Sequence, residues 1–222
     1  MEFEFIYNPV KLIVIRNIFT NKENEEILSE AVDNENTFKP STTDMGNESI
    51  RNDKFRNNIS SFYDTLYSDN RSNSKLLTKL DVLFSDDKFN DILNSSTYPI
   101  NSFSESNYHE SQVSRYGDEE QEYKYHIDSD GYRSITVVYY FNKEPKEYKG
   151  GEIQFTRSPI YNGTAVDKNE IPITITPENN MAVIFGSKVA HRVLPTTSPK
   201  TFDSGRFSVN CWIGKRWHFI LN

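Results

Sequence analysis

YKYHIDSDGYRSITVVYYFNK, residues 123–143, sets His126 and Asp128 on either side of a single isoleucine, just ahead of the run SITVVYYF. Eight residues rich in β-branched and aromatic side chains, with Gly-Tyr before them and Asn-Lys after, read as a buried or half-buried strand. On an extended chain, side chains two apart share a face, so His126 and Asp128 converge while Ile127 turns away. The pair alone carries little information. With 4 His and 14 Asp in 222 residues, chance supplies about 0.25 such pairs, and a hydrogen-bonded surface pair would look the same.

The surroundings raise its value. From about residue 111 the texture is short strands separated by Gly, Pro and Asn: QVSRY, SITVVYYF, GGEIQF, IPITITP, MAVIFG, HRVLP and RFSVNCWIG. Many short strands at this spacing predict a sandwich, jelly roll or barrel. Ahead of them, KLIVI (11–15) predicts a strand. TNKENEEILSEA (20–31) predicts a helix with Thr20 at its cap, and apolar residues at spacings of three and four over 51–67 and 72–93 predict further amphipathic helices. Residues 33–50 and 94–110, rich in Asn and Ser, are expected to be loops, the second of them mobile. The expected architecture is α+β and β-dominated: one domain over 1–222, with a strand and supporting helices in 1–110 and a jelly-roll core in 111–222.

Composition narrows the partners. A net charge of −7 gives no basic stripe for phosphate neutralisation, which argues against nucleic acid and leaves protein, peptide or small-molecule partners. The single cysteine, Cys211, cannot form an internal disulfide, and the N-terminal MEFEFIYNPVKLIVI has neither the basic start nor the cleavage site of a secretory signal. No apolar stretch reaches the ~18 residues of a membrane span. The expectation is a cytoplasmic protein in a reducing compartment.

A third metal-capable residue follows the apolar strand MAVIF: His191, in AHRVLP. Two histidines and one carboxylate are the facial ligand set of non-haem Fe(II) oxygenases, with coordination positions left open for substrates. In GRFSVNCWIG, the residues Phe207, Val209, Cys211 and Ile213 alternate with Arg206, Ser208, Asn210 and Trp212. If the polar face lines a barrel interior, the permanently charged fork of Arg206 requires an anionic partner there.

With these residues in order, the segment 111–213 resembles the Fe(II)/2-oxoglutarate-dependent oxygenases and within them is most similar to the prolyl hydroxylases. SRYG, HID, RSITVVYYFNK, GGEIQF, AHRVLP and GRFSVNCW carry the resemblance. It implies a double-stranded β-helix and an iron held by His126, Asp128 and His191. It also implies a 2-oxoglutarate whose far carboxylate meets Arg206 and the hydroxyl of Tyr140, with Thr136 on the same pleat face, Tyr116 nearby and Trp212 closing the pocket. The implied activity is hydroxylation of an unactivated C–H bond, coupled to decarboxylation of 2-oxoglutarate to succinate with dioxygen as oxidant and ascorbate as a reductant. Asp128 occupies the position a halide would need, so hydroxylation is expected over halogenation. A prolyl residue in a protein or peptide is the first substrate class and a free amino acid or other metabolite the second. A non-catalytic, cupin-like metal module is the reading from another class. The spacing from His191 to Arg206, with TTSPKTFDS between, is longer than usual for such proteins. Arg115 and Arg133 are either substrate contacts or solvated, His109 and His218 structural or surface residues, and segments 94–110 and 157–170 are expected to choose the substrate.

Overall fold

The computed structural model describes residues 1–45, 48–117, 120–129 and 131–216. Two antiparallel sheets face each other. The larger runs in the order Glu2–Ile6, Leu12–Arg16, Met181–Gly186, Arg133–Phe141, Arg206–Gly214, Tyr108–Tyr116, Ile59–Phe62 and Lys39–Pro40. In the smaller, Ala190–Thr197 is central, with Gln121–His126 on one edge and Lys149–Gly150 and Ile153–Thr156 on the other; Ile173–Ile175 lies outside Ile153–Thr156. From residue 108 onward the chain passes back and forth between the sheets, which is the jelly-roll topology expected from the strand pattern.

Both faces of the larger sheet are covered, which explains why its strands read as near-continuous apolar runs. Val113, Ile135, Val137, Tyr139, Phe141, Phe207, Val209, Cys211 and Ile213 pack outward against the N-terminal helices. Val138, Tyr140, Met181, Val183 and Phe185 pack inward against Ile153 and Phe155 of the smaller sheet. The predicted helix forms as Asn21–Asp33. Thr20 accepts from the Glu23 amide and Glu23 accepts from the Thr20 amide at 2.9 Å, a reciprocal cap. The expected 72–93 helix is two, Lys75–Phe84 and Asp87–Asn94, divided where Asp86 caps the second by accepting from the Phe89 amide at 2.8 Å. Leu76, Leu77 and Leu80 are buried on the sheet, each contributing roughly 1.5–3 kcal/mol.

Three expectations for the first half are corrected. Residues 51–67 do not form a helix: Ile59–Phe62 is a strand followed by one turn, Tyr63–Leu66. Pairing along Tyr108–Tyr116, with Ile59 opposite Arg115 and Ser61 opposite Val113, overrides the three-and-four spacing. Residues 94–110 are anchored rather than loose, because Ile100–Glu105 forms a 3-10 helix that buries Ile100 and Phe103 in the helix-side core. Within 33–50 there is a hairpin, Thr43–Met45 with Glu48–Ile50, where a loop was expected.

Candidate active site

His126 ends its strand directly opposite His191 on Ala190–Thr197. Their rings lie 4.2 Å apart. Asp128 sits just beyond that strand end, so its approach owes nothing to the strand pleat. Instead its backbone amide donates to the Ser187 carbonyl at 2.9 Å, and its carboxylate accepts from the Thr136 hydroxyl at 3.0 Å. Ile127, between them, is half exposed. Asp128 Oδ1 is 3.6 Å from His126 Nε2 and Oδ2 is 3.5 Å from His191 Nε2. The three ligand atoms lie within 4.8 Å of one another. Bonds of ~2.1 Å to one ion place neighbouring donors about 3.0–3.4 Å apart, so small side-chain adjustments complete a site.

Each imidazole is aimed from behind. His126 Nδ1 lies 2.8 Å from the Lys124 carbonyl and His191 Nδ1 3.0 Å from the Val189 carbonyl. Such a bond puts the proton on Nδ1 and leaves the Nε2 lone pair facing Asp128. Burial first, and the neighbouring His191 second, hold the pKa of His126 well below the ordinary histidine value. The neutral, metal-binding form therefore persists into mild acid.

Behind the triad lies the second group. Arg206 is 1 % exposed, and among the described residues it has no carboxylate partner. Its Nε donates to the Gly151 carbonyl at 2.8 Å, and the guanidinium carbon lies 5.0 Å from the Tyr116 ring centre and 4.8 Å from that of Tyr140. Among the described residues the Tyr140 hydroxyl, buried beside the Arg206 guanidinium, makes no well-formed hydrogen bond, and burial raises its pKa. Gly151, at φ +76°, is required here, since a Cβ would lie 2.5 Å from Arg206 Cδ. The space bounded by Arg206, Tyr140, Tyr116, His126 and His191 is about 20 Å³, room for one water. A larger cavity of about 500 Å³ opens on the other side, lined among others by Arg56, Phe62, Asp128, Arg133, Gly163 and Trp212. His126 and Tyr123 line both spaces. Their rings stack at 3.5 Å and form the partition.

The structure thus brings His126, Asp128 and His191 together, and sets Arg206, Tyr140 and Tyr116 around a neighbouring space. Thr136 bonds Asp128 and Ser187 rather than lining the Arg206 space. Trp212 walls the larger cavity, with the Arg133 guanidinium 4.2 Å from its ring centre. Arg133 is neither free nor simply solvated, for it donates to Glu110 at 2.8 Å. Arg115 is neither a substrate contact nor solvated: buried, it donates to the Thr201 and Phe202 carbonyls at 3.0 and 2.8 Å and ties down the long segment before Arg206. His109 joins a structural network with Arg71 and Asp81; His218 lies outside the described residues. Segment 157–170 does reach the large cavity, through Ile160, Asn162 and Gly163. Thr42, Thr43, Ser49, Phe55, Arg56 and Phe62 also line it, and no residue of 94–110 does.

Two residues of the site escaped the sequence reading. Simple alternation turns Tyr123 away from His126, but the register slips between the His191–His126 and Val193–Tyr123 pairs, a bulge that returns Tyr123 to the histidine's side. Nothing in the sequence signals that bulge. Arg56 comes from the segment read as helix; it is buried and its guanidinium carbon lies 4.6 Å from the Tyr123 ring centre.

Comparison with known proteins agrees with this geometry. The family model described as 2OG-Fe(II) oxygenase superfamily matches residues 111–214. An uncharacterized PKHD-type hydroxylase of Synechocystis sp. is 40% identical over 85 residues, 38% of this chain and 28% of the relative, so the match spans under a third of that protein's length. A Trichoplax adhaerens prolyl hydroxylase, solved with a hypoxia inducible factor peptide fragment, superposes with TM-score 0.65 at 17% identity, covering 93% of this chain and 84% of the other. A Pseudomonas putida prolyl-4-hydroxylase gives 0.60 at 16%, covering 93% and 94%. At such identities the likeness of these structures is one of fold. Residues 111–214, a little under half of the chain, are thus similar to the 2OG-Fe(II) oxygenase superfamily.

Proposed function

We propose that this chain is a single-domain Fe(II)- and 2-oxoglutarate-dependent dioxygenase that hydroxylates an unactivated C–H bond, with a prolyl residue of a polypeptide as the substrate class. The observation that carries the reading is the pairing of two half-sites. A two-histidine, one-carboxylate cluster adjoins a buried guanidinium and a buried hydroxyl that both lack an anionic partner. A plain metal module has no use for the second half.

The donor chemistry fits both groups. His126, Asp128 and His191 would hold the iron, and Arg206 with Tyr140 would take the far carboxylate of 2-oxoglutarate. Arg206 provides a fork matched to that carboxylate and Tyr140 one further donor. The 20 Å³ space holds one water, so side chains that line it, Tyr123 among them, would shift to admit a keto-diacid. Iron bound at the triad would supply dioxygen activation coupled to oxidative decarboxylation of 2-oxoglutarate. Around it, Thr136 fixes the Asp128 carboxylate, the Lys124 and Val189 carbonyls fix the histidine tautomers, and the stacked aromatic walls keep bulk water from the inner space. Trp212 and the 157–170 segment would then hold substrate against the triad. Phe62 and Ile127 line the large cavity and remain partly exposed, which favours a polypeptide lying across the opening over an enclosed metabolite.

Succinate release, measured with iron, 2-oxoglutarate and either proline-containing peptides or free amino acids and metabolites, tests this directly. Peptide-dependent release supports the proposal. Release driven by a free metabolite moves the substrate class, and the absence of any 2-oxoglutarate binding to the metal-loaded protein removes the oxygenase reading.

A further inference from the structure

The large cavity holds a second buried arginine that the proposed chemistry leaves unused. Arg56 is 5 % exposed. Its Nε donates to Asn58 Oδ1 at 2.9 Å, one terminal nitrogen to the Thr42 carbonyl at 3.1 Å and the other to Gln112 Oε1 at 2.8 Å. All three acceptors are neutral. A guanidinium has five N–H donors; of the two these bonds leave, one lies within reach of the buried Tyr116 hydroxyl. Among the described residues no carboxylate lies within ion-pair distance of it, whereas the other arginine of this cavity, Arg133, is neutralised by Glu110 at 2.8 Å.

The position is as informative as the charge. Arg56 packs on one ring, Tyr123, which itself stacks on the ligand candidate His126. It therefore sits one aromatic layer from the triad and borders the volume where substrate would lie. Counting formal charges on the oxygenase reading, a divalent ion, Asp128, Arg206 and a doubly anionic 2-oxoglutarate cancel, and Arg133 cancels Glu110. Among the described residues Arg56 is left without a compensating charge, in a desolvated wall where attraction for an anion is least screened.

We propose, resting on that reading, that Arg56 selects substrates carrying a carboxylate: a target whose hydroxylated residue has an acidic group beside it, held by the Arg56 guanidinium. A carboxylate is favoured because its plane matches the planar guanidinium. The other polar lining near Arg56, Thr42, Thr43, Ser49 and Gln112, is uncharged and offers no competing cation.

Fluorescence anisotropy tests this without turnover, using Mn(II)-loaded protein with 2-oxoglutarate and labelled prolyl peptides. The peptides come in pairs that differ only in Glu against Gln, or Asp against Asn, beside the proline. The expected result is about tenfold tighter binding of the acidic member, a preference that shrinks as salt is raised, vanishes in Arg56→Gln and persists in Arg56→Lys. Competition by free carboxylate-bearing metabolites, lost equally in Arg56→Gln, supports the carboxylate and assigns it to a small molecule. Equal binding of acidic and amide peptides with no carboxylate competition overturns the inference, as does an acid preference unchanged in Arg56→Gln. The 2-oxoglutarate-dependent rise in melting temperature, read on the same samples, reports the oxygenase reading separately. A rise with no acid preference defeats Arg56 alone.

Discussion

Replacing Arg206 by methionine removes a charge while keeping much of the volume, and it should have opposite consequences for the empty and the loaded protein. In the empty protein the guanidinium has one good hydrogen bond, to the Gly151 carbonyl at 2.8 Å, and two aromatic faces at 5.0 and 4.8 Å. A hydrogen bond from a charged donor contributes ~1.5–3 kcal/mol and buried cation–π contacts about 2 kcal/mol. Against them stands a desolvation cost of several kcal/mol for a buried ion without a counter-charge. These nearly cancel, so the melting temperature of the ligand-free Arg206→Met protein should stay close to that of the parent or rise. With 2-oxoglutarate the balance differs. Breaking a buried ion pair by removing one partner costs about 3–5 kcal/mol, which weakens affinity on the order of 10²- to 10⁴-fold. At a ligand concentration of ~100 Kd the parent gains about 2.7 kcal/mol, or roughly 5–11 °C for a chain of this size. A hundredfold-weakened variant at the same concentration gains ~0.4 kcal/mol, about 1 °C. Thermal melts of Mn(II)-loaded protein with and without 2-oxoglutarate read both halves. If Arg206→Met keeps the full ligand shift, or if the ligand-free variant melts far below the parent, the account of Arg206 as a waiting cation is wrong.

Thr136→Val deletes the hydroxyl that donates to Asp128 at 3.0 Å, and metal titration should show roughly 10- to 100-fold weaker binding with little change in fold; an unchanged affinity would mean Asp128 is held by its backbone alone. For pH, the pKa of folded His126 lies well below the ordinary value near 6.5, so below about 6.5 the unfolded chain binds the extra proton and stability falls. In chelator, stability should fall from pH 7 to pH 5 through this one group. That fall should largely disappear in His126→Asn, whereas a parent that melts identically at both values contradicts the assignment. The acids with lowered pKa, such as Glu23 and Asp203, lose their contribution only below that window. Cys211 is buried and desolvation pushes its thiol up to about 12, so a thiol reagent should label it only as the protein unfolds.

The parts of this molecule that were legible in its sequence are those in which one local rule acted alone. The Thr20 cap and the strict parity of RFSVNCWIG each report a single periodicity and form as written, and the apolar face of 72–93 does too, although Asp86 divides it into two helices. The triad was readable because a histidine, an aspartate and a second histidine are rare enough to be noticed together. Residues 51–67 misled because apolar side chains at three-and-four spacing also satisfy an edge strand followed by a turn, and the deciding partner, Tyr108–Tyr116, lies some fifty positions away. Tyr123 and Arg56 were invisible for a related reason. A bulge and a bridge between Arg56 and Tyr123 place them, and both depend on pairing between segments that no local pattern encodes.

One strand shows how stability and chemistry are kept apart in this fold. Along Arg206–Gly214, the outward residues Phe207, Val209, Cys211 and Ile213 are apolar and belong to the helix-side core. The inward face is the reverse: among the described residues Arg206 lacks an acid, the Trp212 indole nitrogen lacks an acceptor, and Ser208 lies opposite Ser114, whose hydroxyl also has no partner. The Tyr140 hydroxyl, on the adjoining strand opposite Ser208, completes the group. Buried polar atoms normally find partners within the protein, so a concentration of open ones on a single face, beside the His–Asp–His cluster, is the signature of a surface completed by something bound. The helices pressing on the other face are what make it tolerable, because they supply the apolar burial that holds these strands in place while the inner face stays unsatisfied. A substitution outward should therefore move stability first and binding only in proportion, whereas one inward should move binding with little loss of fold.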